Sequence, residues 1–165
     1  MKKFLAAAAI GAAIACGASA ADFKLGVVNP AKILNESQPA QAAQNKLKSY
    51  FKTREDELNR LVRDFKNKAS KFEKDAAVMS ESTRMTQRRD LAEMERDIAR
   101  RNRALVEERN QRAAEESQII LAKANRIIQD IAKRQKYDLI LQEAVWASPS
   151  IDLTDEVIRQ LNHAK

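Results

Sequence analysis

With 165 residues the chain has room for one domain. Charged side chains make up 32% of it and aromatics 5%, with 3 Gly, 3 Pro and a single Trp. That balance is too poor in bulky apolar groups and turn formers for an ordinary compact core, and is typical of long helices or coiled coil. A formal net charge of +7 points to anionic partners.

The first twenty residues have the layout of a secretory leader. Lys2 and Lys3 precede an apolar run from Phe4 to Ile14, and Ala18-Ser19-Ala20 offers a small-residue cleavage site. The apolar run is too short to span a bilayer. Cleavage after Ala20 and delivery to the periplasm are therefore expected, and export disfavours nucleic acid as a partner. The rival reading is a lipid anchor at Cys16, but Ala13-Ile14-Ala15-Cys16 has Ala13 where a lipobox normally has Leu. Cleavage after Ala20 removes the single cysteine, and with it any disulfide or thiolate nucleophile.

Beyond the leader, Phe23, Leu25 and Val27 alternate with Lys24 and Gly26 before Val28, the pattern of a short strand. Asn29-Pro30 closes it, since proline lacks a ladder donor and pre-sets a first helical turn. A short helix is expected over Ala31 to Glu36, then a break or bend at Ser37-Gln38-Pro39.

From about Ala40 to Lys136 there is neither Gly nor Pro, so long helix is expected. Leu47, Phe51, Leu58, Leu61, Phe65, Phe72, Ala76 and Met79 follow coiled-coil spacing, with Arg54 and Lys68 in the gaps. Leu91, Met94, Ile98, Leu105, Ala113, Ile120, Ala124, Ile127 and Ile131 form a second seam, interrupted near Arg101, Asn102 and Arg109. One straight helix would run about 140 Å. A hairpin with its tip at about 78–83 lets the two seams bury each other, in arms on the order of 60 Å. Its Ser/Thr cluster would cap the returning helix. Polar residues in the seam either snorkel and tune register or leave the arm loose enough to bend.

Tyr137 to Gln142 has the composition of a half-buried strand, with Ala144-Val145-Trp146-Ala147 as a continuation and Trp146 packed in the body. Ser148-Pro149-Ser150 turns the chain and Ile151-Asp152-Leu153 reads as another short strand. Thr154 is the expected N-cap of a last helix, with Asp155 and Glu156 at its positive end and Val157, Ile158 and Leu161 on its apolar face.

The hairpin returns the two ends to one place. Residues 21–39 and 137–165 then form a small α+β body and residues 40–136 the arm. One N-terminal strand with two or three C-terminal ones has open edges and little core, so oligomerisation is expected to complete it. Leu25, Val27, Leu139, Leu141, Trp146, Ile151 and Leu153 are the candidates for that role.

The positive charge is confined to the arm. Lys46 to Arg134 holds 23 Lys/Arg against 16 Asp/Glu, whereas the rest of the chain beyond Ala20 has a balance of −2. Arg84, Arg88 and Arg89 lie near the tip, and Arg96, Arg100, Arg101, Arg103, Arg109 and Arg112 come after them on the returning helix. Neighbouring acids supply i,i+4 partners on a solvated face. Pairing leaves a net excess, which reads as a surface for anionic clients or lipid headgroups. No catalytic residues, cofactor or metal are expected: the only histidine, His163, is near the C-terminus, and no Gly-rich phosphate loop or metal-ligand spacing is present.

Leader, strand Lys24-Leu25-Gly26-Val27-Val28-Asn29, Gly/Pro-free charged hairpin, strand Tyr137-Asp138-Leu139-Ile140-Leu141 and an ending from Ala147 to Val157 come in an order that resembles the Skp (OmpH-like) family of periplasmic chaperones. The resemblance implies a jellyfish-shaped homotrimer, in which three chains complete a barrel-like body and three basic arms enclose a cavity. It implies a non-enzymatic holdase that binds unfolded outer-membrane β-barrel proteins without ATP. Contact with anionic lipid or lipopolysaccharide is implied as well. The tip Ser80-Glu81-Ser82 departs from the family in lacking glycine, and a stiffer turn is expected. The alternative is an envelope coiled-coil scaffold, soluble or lipid-anchored, without chaperone activity.

Overall fold

A computed structural model describes residues 23–164. They form β1 (Leu25–Val28), α1 (Pro30–Glu36), α2 (Gln38–Asp75), α3 (Glu81–Gln135), β2 (Leu139–Gln142) and α4 (Thr154–His163). The expected leader, its cleavage after Ala20 and Cys16 lie outside the described residues.

The first three helices each begin where a side chain satisfies a free N–H group. Asn29 accepts from the Lys32 N–H at 3.0 Å ahead of Pro30, and Ser37 accepts from the Ala40 N–H at 3.4 Å. The expected break over 37–39 narrows to Ser37, because Pro39 sits in the first turn of α2, where a missing N–H leaves no bond unmade. The reversal occupies residues 76–80, earlier than the expected tip. Ser80 accepts from the Thr83 N–H at 3.3 Å, so α3 is already helical at Glu81. At its far end α3 stops at Lys136, whose φ of 55° puts a lysine in the left-handed cap usually given to glycine.

α2 and α3 lie antiparallel as the hairpin arm, about 57 and 82 Å long at 1.5 Å per residue. Every apolar residue named for the two seams is at least half-buried. Only Phe51, Ile120, Ala124 and Ile131 among them are fully buried. No residue from 52 to 119 is fully buried, so the outer arm has a seam but no core.

The core sits at the root. Ile33 of α1, Ala40 of α2, Ile120, Ala124 and Ile131 of α3, and Val157, Ile158 and Leu161 of α4 pack with Val28 and Leu153. β1 and β2 pair in parallel, Leu25 opposite Leu139 through Val28 opposite Gln142, with the entire arm as their crossover. A Cβ on Gly26 would stand 2.7 Å from Leu153 Cδ1 and 3.2 Å from Tyr137 Cε1, so any larger residue would force the buried Leu153 side chain to shift.

The C-terminal segment departs from expectation in four places. Ala144–Ala147 is not a strand, because the chain leaves the sheet at Glu143, whose φ is 59°. Trp146, expected inside the body, is 80% exposed in the single chain. The expected strand at 151–153 is one bridge beside β1: the Val27 N–H donates to Ile151 O and the Leu153 N–H to Val27 O, both at 2.8 Å. Thr154 is the first helical residue, not the cap. Its N–H and hydroxyl both go to Asp152 Oδ1, and its hydroxyl accepts from the Asn29 N–H at 2.9 Å, joining the starts of α1 and α4.

Candidate interaction surface

From root to tip the arm changes character. Beyond the buried root lies a zone where charged groups cross between the helices. Lys46 meets Glu116 at 3.0 Å, Arg54 meets Glu108, and Arg109 meets Glu55 at 3.2 Å. Tyr50 is the hub. Arg112 stacks over its ring at 4.4 Å and Arg54 at 5.2 Å, and its hydroxyl donates to Glu108 at 3.3 Å. The hydrogen bond from Arg112, helped by Arg54, holds the Glu108 carboxyl below the usual carboxylate range; the bond to Glu108 raises Arg54 in turn.

Past Glu55 and Arg109 no ion pair crosses between the helices among the described residues. The two helices face each other there through half-buried Leu58, Leu61, Phe65, Phe72, Leu91, Met94, Ile98 and Leu105. Open grooves run along both sides of the Leu58–Leu105 contact, one edged by Arg54 and Arg101, the other by Asn59 and Asn102. Val78 at the tip and Met85 one turn into α3 are strongly exposed.

The nine arginines singled out from the sequence divide by partner. Arg84 pairs with Glu81, Arg89 loosely with Asp90 at 3.9 Å, Arg100 and Arg101 share Asp97, Arg109 takes Glu55, and Arg112 takes Glu108. Arg88, Arg96 and Arg103 are exposed without an ion pair among the described residues. Sequence reasoning weighted α3 and overlooked α2, where Lys48, Arg60, Arg63, Lys66, Lys71 and Lys74 are also exposed and unpaired among the described residues. The same count of charge along the chain was the signal for them. It missed Tyr50 too, since an aromatic beside the seam acquires its role only from the other helix.

In the body, Leu25 and Ile151 are half-buried, and Val27 and Leu153 are buried within the chain itself. Leu139 at 43%, Leu141 at 42% and Trp146 face outward. β1 lies between β2 and the 151–153 bridge, which leaves the outer edge of β2 without a partner among the described residues. No group of His, Cys, Asp and Glu able to hold a metal occurs among the described residues, and no described helix is long and apolar enough to cross a membrane.

The model of the family described as outer membrane protein (OmpH-like) matches residues 24–161. Chaperone protein Skp of Yersinia enterocolitica is 28% identical over 163 residues, covering 98% of this chain and 99% of that protein. The Skp proteins of Photorhabdus laumondii and Escherichia coli K12 are 29% and 28% identical, with the same coverage. An OmpH-like outer membrane chaperone from Caulobacter crescentus CB15 shares the fold at a TM-score of 0.69 and 18% identity, over 85% of this chain and 84% of that one.

Proposed function

The chain belongs to the OmpH-like (Skp) family, and from that membership we propose that it is a periplasmic holdase chaperone for unfolded outer-membrane β-barrel proteins. The observation that carries the proposal is the arm: Lys46 to Arg134 holds 23 Lys/Arg against 16 Asp/Glu, and over 52–119 its apolar seam buries no residue completely. Such a surface offers many weak contacts to a fluctuating chain and no pocket that selects one folded shape. Positive charge raises the encounter rate with anionic clients, and half-open apolar rows supply adhesion. Neither step consumes a nucleotide or calls for a catalytic group.

The working unit in this proposal is a homotrimer. The unpartnered edge of β2, with Leu139, Leu141 and Trp146 exposed beside it, supports assembly through the body. Three arms then enclose a basic cavity, with Arg88, Arg96 and Arg103 as free cations for client carboxylates and for phosphates of anionic lipid or lipopolysaccharide. The test is dilution of a urea-unfolded outer-membrane protein into buffer without ATP. The chain is expected to keep the client soluble at about one trimer per client, with the complex resolved by sedimentation. Aggregation at the uninhibited rate would return the chain to the scaffold reading.

A further inference from the structure

All the methionines among the described residues, Met79, Met85 and Met94, lie in the outer arm, and no cysteine is present among those residues. Methionine is therefore their only sulfur open to two-electron oxidation. Of the three, Met94 occupies a distinct setting. It is a half-buried seam residue of α3, and its Sδ lies 3.7 Å from the Nζ of Lys68 on α2. Lys68 stands in a gap of the α2 seam, and among the described residues the thioether is the one side-chain acceptor that its ammonium reaches. Asp90, Glu93 and Asp97 line the same open groove, yet none forms an ion pair with it. A strong donor is thus aimed across the helix interface at a weak acceptor.

We propose that Met94 is an oxidation site whose sulfoxide locks α3 to α2 through Lys68. The reactants are peroxides or hypohalous acids. With hydrogen peroxide, the sulfur lone pair attacks one oxygen, the O–O bond breaks and an S–O bond forms. The sulfur gives up two electrons, and the proton on the transferred oxygen passes to the leaving hydroxide to make water. The new oxygen is a much better acceptor than sulfur, and it is borne by the atom the ammonium already faces. Oxidation of a buried methionine ordinarily loosens packing. Here the polar product meets a cation in place, in the part of the arm that no ion pair crosses among the described residues. The result is a stiffer outer arm under oxidising conditions.

The experiment uses the full chain carrying Met79→Leu and Met85→Leu, with and without Lys68→Leu, before and after hydrogen peroxide, with mass spectrometry locating the sulfoxide. With Lys68 present, oxidation is expected to slow amide exchange over 61–72 and 90–98 by about three- to tenfold, the yield of one net hydrogen bond. Lys68→Leu, which fills that gap in the seam with an apolar side chain, is expected to abolish the slowing. Faster or unchanged exchange in the oxidised Lys68 protein overturns the proposal. Equal slowing without Lys68 overturns it too, as does a Met94 that stays unoxidised while free methionine in the same tube reacts.

Discussion

Arg54 on α2 and Glu108 on α3 meet midway along the arm, and outward of the neighbouring Glu55–Arg109 pair the described helices share no ionic contact. Glu108 also holds Arg112 and accepts from Tyr50, so one carboxylate gathers three side chains from two helices.

Glu108→Gln is therefore expected to loosen the hub without unfolding the chain. Amide exchange over 47–58 and 101–112 should rise roughly two- to fivefold, in keeping with the modest strength of exposed pairs. Salt at about 0.5 M should bring the unmodified protein toward the variant, because screening acts on the same contact. Exchange mass spectrometry in both buffers checks this.

Gly26→Ala places a methyl 2.7 Å from the Leu153 side chain. A destabilisation of about 1–3 kcal/mol is expected from overpacking, read as a lower urea midpoint. Helicity of the arm below the transition should not change.

Burial pushes the Asp152 carboxyl up, but bonds from the Thr154 hydroxyl and N–H, with Lys32 nearby, outweigh it and leave the group below its ordinary value. A carboxyl depressed in the folded state stabilises it above the unfolded value. That contribution is lost as pH falls through the folded one. Asp152→Asn should lower the melting temperature at neutral pH and flatten its fall below about pH 4, as seen in melts across an acid series.

Trp146→Ala removes a side chain that touches little in the single chain. Far-UV helicity should be unchanged while the proposed trimer dissociates at a higher protein concentration, by about tenfold or more if the ring is an interface anchor. Sedimentation equilibrium measures the shift.

Replacing Arg88, Arg96 and Arg103 together by Gln is expected to slow client capture several-fold at low salt and to matter little at high salt. Stopped-flow mixing with an unfolded outer-membrane protein gives the rate.

The arm was legible because its signal is long and repetitive. A missing breaker and a sustained seam leave few alternatives, and Ser80 turns the chain by capping α3. The C-terminal body was less legible because its cues are short and depend on distant partners. Val145 and Trp146 look like buried strand residues, yet nothing among the described residues covers them. Thr154 looks like a cap, but Asp152 and Asn29 draw its hydroxyl elsewhere. The charge excess could be counted along the chain. Which arginines remain free could not, since Asp97, Glu55 and Glu108 choose their partners in three dimensions.

The parallel pairing of β1 with β2 has a consequence for how the molecule is made. The Lys24 N–H donates to an Asp138 carboxylate 114 positions later, so the first strand waits for nearly all of the chain to arrive. During synthesis the helices can assemble while the sheet cannot. The root then closes last, as a clasp fastened only once the arm has turned back.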